Sequence, residues 1–269
     1  MSYTSYGGME STIGPVKWEG DVIEDGLKDQ DFVLRLTDSR SITKLTWKGF
    51  SSSSDQFDPC PSNRKWKYHF QHLRYHDEWM GDQDIVESMS NHINGGWDGY
   101  SYDRDYGQGS DWISTSTDLQ WTIWEITRRL TKLHRSKVDL HLIRKGLWIS
   151  RNYRGCEPIW VNPTSYLRKQ ARLEYYYENP YRKAYNFAKA SGEMLCYGRI
   201  FDKDILESTK WTNSDPGFVL PDYFYKSRKY WDYYDSWIDR LVWNPWEDDS
   251  TEAKRKMKNR RIKLQKSRR

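Results

Sequence analysis

The fold of this chain is decided by the stretch Ser110-Asp111-Trp112-Ile113-Ser114-Thr115-Ser116-Thr117-Asp118-Leu119. Aromatic and β-branched residues dominate from Trp112 to Thr115, which predicts a short strand. We expect Thr117 to cap the helix that follows, because Gln120 comes three residues later at the capping-box spacing. Apolar residues at helical spacing then give that helix one buried face: Leu119, Ile123, Ile126, Leu130 and Leu133.

The hydroxyl groups of this stretch allow two interpretations. A helix cap accounts for Thr117, and in the simpler interpretation the whole run is structural. In the second interpretation the remaining hydroxyls, Ser114 above all, line a ligand cleft.

Length and composition exclude several classes of protein. The chain has 269 residues, enough for one large domain or two small ones, and its 15 Trp and 20 Tyr compensate for a hydrophobic content of only 36%. A mean hydropathy of −0.99 and the lack of an apolar run of about 20 residues predict a soluble protein without membrane contact. The first residues lack a signal-peptide pattern, and three widely spaced cysteines suit a reducing compartment. We therefore expect an intracellular protein, cytoplasmic or nuclear.

Positive charge is concentrated at the C-terminus. Ten of the last sixteen residues are Lys or Arg and none is acidic, so the net charge of +5 leaves −5 for residues 1–253. The charge run predicts a basic tail over residues 252–269 that is either disordered or a free helix. Such a tail suits nuclear import or nonspecific nucleic-acid contact, and a solvated tail with neither role is the alternative.

Further segments are predicted on either side of the central stretch. Residues 1–28 are expected to be a flexible arm anchored by Trp18 and Val22. The first strand follows at 31–36, where Arg35 lies opposite the aliphatic row and needs either an edge position or a partner. Helices are predicted in parts of 64–93, over 118–134 and over 164–177, and 181–190 is expected to be a short helical or irregular segment. In an aromatic-rich extension at 208–251, a helix is predicted over about 225–241. Strands are predicted at 138–143, 158–162 and 191–201.

A metal site is not predicted. His69, His72 and His76 are close in sequence, and the last two are one helical turn apart. No acidic or cysteine cluster completes a ligand set around them, which favours packed or solvent-facing histidines.

Three motifs occur in a suggestive order along the chain: Arg35 in Phe32-Val33-Leu34-Arg35-Leu36, Ser114-Thr115-Ser116 at the end of the central strand, and Glu193 in Ser191-Gly192-Glu193-Met194-Leu195. This order resembles the Arg, Ser-Thr-Ser and Glu arrangement of the heat-labile enterotoxin-like ADP-ribosyltransferases. Residues 31–206 look like a fungal domain of unknown function thought to be related to that fold. The resemblance implies an α+β fold, with an ADP-ribosyltransferase-like split β-sheet core and flanking helices over 29–207 and an aromatic-rich helical C-terminal extension.

The resemblance also implies a chemistry, in which NAD is the substrate. Glu193 would be the catalytic carboxylate, stabilising the oxocarbenium-like centre as the nicotinamide–ribose bond breaks. Arg35 would grip phosphate oxygens through its forked guanidinium, and Ser114, Thr115 and Ser116 would complete the NAD-binding set. The acceptor would be a protein, another macromolecule or water.

One position departs from the family pattern. Active transferases usually have Glu or Gln two residues before the catalytic glutamate, and this chain has Ser191 there. Either the acceptor is unusual, or the domain is a non-catalytic interaction module that kept the fold. Glu193 could equally be a plain strand-end residue, and Arg35 could simply pair with Glu193 or Asp38.

Overall fold

The computed structural model describes residues 20–28, 31–52, 83–96, 110, 112–145, 159–173, 179–232 and 235–268. The helices in this part of the chain are α1 Gly20–Lys28, α2 Gln83–Gly96, α3 Leu119–Thr131, α4 Pro163–Leu173, α5 Pro180–Ser191 and α6 Ser250–Ser267. The strands are β1 Phe32–Thr37, β2 Phe50–Ser51, β3 Trp112–Ser116, β4 Val138–Arg144, β5 Ile159–Val161, β6 Glu193–Tyr197, β7 Arg199–Ile200 and β8 Ile205–Trp211. Short 3₁₀ turns lie at Asp202–Asp204, Asp222–Phe224 and Arg228–Tyr230.

Six of these strands form one antiparallel sheet in the order β5-β6-β3-β1-β4-β8, and β2 pairs with β7 in a second, small sheet. The chain is therefore a mixed α and β protein, as the sequence predicts. β1 pairs with β4 along its whole length, but its register with β3 is confined to Leu34 and Ser116. We call this weakly paired boundary between β1 and β3 the seam.

Helices cover one face of the large sheet, and the side chains beneath them form two separate apolar clusters. The first cluster joins β1, β4 and β8 to α1, α3 and α6. The second joins β3, β5 and β6 to α2, α4 and α5. The border between the two clusters therefore follows the seam. The opposite face of the sheet packs against the β2–β7 pair, through Phe50 and Ile200.

The N-terminal prediction needs a correction. Residues 1–19 lie outside the described residues, but Gly20–Lys28 form helix α1 and are not a flexible arm. Ile23 and Leu27, one turn apart, are buried in the first cluster, whereas the expected anchor Val22 is 47% exposed. The apolar pair at i and i+4 supplies the helical stripe that holds this segment on the sheet.

The aromatic-rich extension is also different from the prediction. The helix expected over about 225–241 is wrong: the described residues there form 3₁₀ and irregular turns. Trp237 and Trp243 pack individually into the first cluster, where Trp237 meets Trp211 edge-on. β8 runs across the predicted boundary after residue 207, so the extension shares the core of the sheet. Large rings bury about 150–250 Å² each, so they can dock this segment without a regular helix.

The basic C-terminal segment is likewise corrected, because it is not a disordered tail. Ser250–Ser267 form helix α6, which Asp249 caps by accepting a hydrogen bond from the Glu252 amide. Ala253 and Met257 are fully buried in the first cluster. The apolar residues of this segment are few, but they recur at helical spacing. Their burial decides the structure of the segment in spite of the charge run. Within the described residues no helix is long and apolar enough to cross a bilayer.

Candidate functional site

The three motif-bearing strands are neighbours in the sheet. β1 carries Arg35, β3 carries the hydroxyl run and β6 begins at Glu193, and the sheet order places β3 between the other two. Ser116 lies directly opposite Glu193 in the register, and Leu34 lies opposite Ser116. The topology therefore collects motifs that are about 80 residues apart in sequence at the seam.

The side chains of these motifs leave the sheet on two faces. Register partners share a face, so Ser116 and Glu193 lie on the helix-covered side with Leu34, and Ser114, two residues along β3, lies there too. Arg35 is the register partner of His141 and leaves the sheet on the other side. The Ser114 hydroxyl and the Glu193 carboxylate thus lie on one face of the sheet, and the Arg35 side chain lies on the opposite face.

Arg35 is buried at the seam and held by backbone oxygens. Its Nη1 donates to the carbonyl oxygen of Ser114 at 2.6 Å, and its Nη2 donates to that of Thr43 at 3.2 Å. The guanidinium also lies 4.8 Å from the centre of the Phe50 ring. Burial lowers the pKa of Arg35 to about 10, with Arg129 adding to the shift and Glu193 opposing it, so the group stays charged at neutral pH.

These contacts show that backbone oxygens, and not a carboxylate, hold Arg35. Among the described residues it forms no ion pair with Glu193 or Asp38. Asp38 pairs instead with Arg129 at 3.0 Å. Two of the guanidinium donors are occupied by backbone carbonyls, and the bond to Ser114 ties β1 to β3 beyond their paired residues. This geometry suits a positioning role better than a grip on phosphate oxygens.

Ser114 is the hydroxyl of the run that meets another side chain in place of backbone. Its Oγ lies 2.8 Å from Nε2 of His92, which helix α2 brings over the sheet. Burial lowers the pKa of His92 to about 3, and the nearby charge of Arg35 adds to the shift. The imidazole is therefore neutral at physiological pH and exchanges a hydrogen bond with the serine hydroxyl.

The other hydroxyls of the run fasten β3 to β6 and α5. The Thr115 hydroxyl donates to the Met194 carbonyl oxygen at 2.7 Å, and the Ser116 hydroxyl donates to that of Ser191 at 2.6 Å. Thr117 donates to the Gly192 carbonyl oxygen through both its amide and its hydroxyl. The structure thus brings Thr115 and Ser116 close to Glu193 but occupies their hydroxyls with backbone.

The cap of helix α3 is Asp118 and not Thr117. Its Oδ1 accepts a hydrogen bond from the Trp121 amide at 2.8 Å, and its backbone is extended as an N-cap requires. Thr117 does not cap the helix, because its amide and its hydroxyl both donate to the Gly192 carbonyl oxygen. The helix therefore begins one residue later than the sequence predicts.

Glu193 is placed by the tight junction between α5 and β6. Gly192 adopts a left-handed conformation with φ of 62°, and a Cβ there would lie 2.9 Å from Cβ of Asp118. The Ser191 hydroxyl donates to Oε2 of Glu193 at 3.2 Å. Glu193 is only 3% exposed. The Ser191 hydroxyl therefore orients the carboxylate.

A second buried histidine lies beside Arg35 on the opposite face. His141 is 2.9 Å from the Thr37 hydroxyl and 2.7 Å from the Ser208 hydroxyl through its two ring nitrogens. Burial lowers the pKa of His141 to about 4, with the charge of Arg35 contributing. Its ring meets Phe50 edge-on. Two neutral imidazoles therefore flank the cation from the two faces of the sheet.

Sequence reasoning missed His92, His141 and the role of Ser191. His92 occupies a helical position beside Ile85 and Met89, and only the docking of α2 on β3 shows that it faces Ser114. His69, His72 and His76 lie outside the described residues. No group of three or more potential metal ligands occurs among the residues that the structure describes.

Comparisons of the chain with models of known protein families, with curated proteins and with solved structures give no match.

Proposed function

We propose that the chain is an ADP-ribosyltransferase-like domain that binds NAD at the seam, with Glu193 as the catalytic carboxylate. The observation that carries the proposal is the adjacency of β1, β3 and β6, which gathers the Arg, Ser-Thr-Ser and Glu motifs in one place. Ser114 and Glu193 share the helix-covered face there. A carboxylate and a hydroxyl on one face suit contacts to a ribose ring.

In this proposal the bond between the nicotinamide nitrogen and ribose C1′ breaks, and the bonding electrons leave with nicotinamide. The carboxylate of Glu193 stabilises the positive charge that develops on the ribose and accepts a hydrogen bond from a ribose hydroxyl. Water or an acceptor side chain then supplies an electron pair to C1′ and loses a proton.

The other seam residues position these two groups. Ser191 orients Glu193, His92 orients the Ser114 hydroxyl, and Arg35 fixes the backbone of Ser114. The Arg35 charge also interacts favourably with the Glu193 carboxylate. Since Glu193 is almost fully buried, substrate entry requires movement of the side chains that cover it.

The same burial favours a second candidate, a non-catalytic interaction domain that kept the fold. In that case the seam residues serve stability alone. Ser191 at the position of the usual acceptor-recognising carboxylate agrees with this second candidate.

Nicotinamide release separates the two candidates. Purified protein is incubated with NAD labelled in the nicotinamide ring, with and without cell extract, and free nicotinamide is measured by chromatography. For an enzyme, Glu193→Gln is expected to reduce release about 100-fold or more, since it removes the charge that stabilises the transition state. Glu87→Gln, at an exposed glutamate of α2, is the matched control and should keep full activity. Absence of release from the unmodified chain, together with no NAD-induced rise in melting temperature, would reject the enzyme.

A further inference from the structure

We infer that the outward face of helix α6 is a binding surface for the phosphate backbone of nucleic acid. This surface is remote from the chemistry proposed at the seam and does not depend on it.

Charge is strongly separated in this chain. Residues 254–269 contain ten Lys or Arg and no acidic residue, against a net charge of −5 for the rest. Helix α6 carries eight of these ten cations, and Arg268 follows directly at its C-terminal end. Attraction between such a cationic helix and a polyanion overcomes the weak repulsion from the body at moderate salt.

The helix is fixed on the body and presents a defined face. Ala253 and Met257 are buried in the core, and Leu264 packs against it. Lys254 reaches both a carboxylate oxygen of Asp118 and the carbonyl oxygen of Ala190, and Arg261 pairs with Glu24 at 2.9 Å. These contacts use the cations on the inward side and at the flanks, and they hold the helix in one orientation.

The cations on the other side remain available. Lys258, Lys263 and Lys266 are all exposed, and at 100° per residue they lie about 100°, 120° and 180° around the helix from the buried Met257. None of the three forms an ion pair with any residue that the structure describes. They span about 12 Å of helix length, which allows them to contact several phosphates of one strand. Arg255 shares this side, although Glu252 neutralises it locally.

Nucleic acid fits this face better than a lipid surface does. A helix that lies in a membrane interface buries an apolar face in the lipid. The apolar residues of α6 are used on the body, and on the outward side Ile262, 40% exposed, is the large apolar residue that remains. Binding to phosphates needs only the cations and their released counterions. DNA and RNA share this backbone chemistry.

The test measures binding of the full chain to fluorescent 20-base-pair DNA and RNA duplexes by anisotropy at several salt concentrations. The variant Lys258→Gln/Lys263→Gln/Lys266→Gln removes the face. The matched control Arg168→Gln/Lys169→Gln/Arg172→Gln removes the same charge from exposed positions of α4. Melting curves and circular dichroism check that both variants keep the fold.

The α6 variant is expected to bind at least about tenfold more weakly at 0.1 M salt, and its log–log salt slope should be shallower by up to about 2.7. The α4 control should bind as the unmodified chain does, and the duplex bound more tightly identifies the source of the phosphates. No binding by the unmodified chain, or equal losses in both variants, would overturn the inference. Equal affinity for phosphatidylserine vesicles, lost in the same variant, would assign the face to lipid instead.

Discussion

The Arg35 guanidinium donates hydrogen bonds to two backbone carbonyl oxygens, and these bonds change the chemistry that is available at the seam. A guanidinium with free donors would bind phosphate oxygens, whereas two donors of Arg35 are bonded to the carbonyl oxygens of Ser114 and Thr43. Its charge still acts at short range, because the site is buried and poorly screened. Burial lowers the pKa values of both neighbouring histidines, and the Arg35 charge adds to each shift.

The buried histidines make folding stability depend on pH. His92 and His141 have pKa values of about 3 and 4 in the folded chain, below the usual value of 6.5 in the unfolded chain. The unfolded state therefore binds more protons below pH 6.5, and the free energy of unfolding should fall as pH drops from about 6.5 toward 4. The slope approaches about 1.4 kcal/mol per pH unit for each histidine. Urea unfolding at a series of pH values measures it.

His141→Gln should reduce this slope, because it removes one of the two groups. His134→Gln, at an exposed loop position, is the control for the loss of an imidazole as such. A slope that is the same in His141→Gln and the unmodified chain would contradict the assignment.

At the scale of elements, the start of α3 and the end of α5 are built as one unit. Ser116, Thr117 and Asp118 leave β3 where Ser191 and Gly192 enter β6, and hydrogen bonds join the two turns. Asp118 caps α3 and also pairs with Lys254 of α6. One aspartate thus links two helices near the catalytic candidate.

Identical substitutions at the two candidate caps distinguish them. Asp118→Ala should lower the free energy of unfolding by about 1–2 kcal/mol and speed amide exchange at Trp121, since the Trp121 amide loses its acceptor. Thr117→Ala should leave exchange at Trp121 unchanged, and Asp118→Asn should restore it. Faster exchange at Trp121 in Thr117→Ala would show that the threonine is the cap.

At the scale of the whole molecule, the two ends of the described chain meet on the first apolar cluster. Helix α1 supplies Ile23 and Leu27 to it, and helix α6 supplies Ala253 and Met257. Arg261 of α6 pairs with Glu24 of α1. From this shared burial we expect the extension, α6 and the β1–β4–β8 half of the sheet to unfold as one cooperative unit.

Two substitutions on helix α6 test whether it unfolds together with this core. Met257→Lys buries a charge in the core and should lower the free energy of unfolding by about 3–5 kcal/mol in a single transition. Ile262→Lys places the same side chain on the exposed side and should change it by less than about 0.5 kcal/mol. Chemical denaturation followed by tryptophan fluorescence measures both. Two separate transitions, or equal losses, would show that α6 is not part of the cooperative core.

The sequence by itself determined the regular elements around the central stretch. Local patterns are sufficient for β1, β3, α3 and β4, because alternation and helical spacing report which face of an element is buried. They fail for the C-terminal segment, where Met257 and its few apolar companions are outnumbered by charges yet decide the structure.

Only the tertiary structure decided what the seam contains. The adjacency of Arg35, Ser114 and Glu193 depends on a sheet order that joins strands distant in sequence, and no local pattern encodes that order. The approach of His92 to Ser114 and the turn of Arg35 toward backbone oxygens likewise depend on the packing of α2 and on the weak pairing at the seam. Burial and long-range contact set these roles, and both are properties of the folded chain.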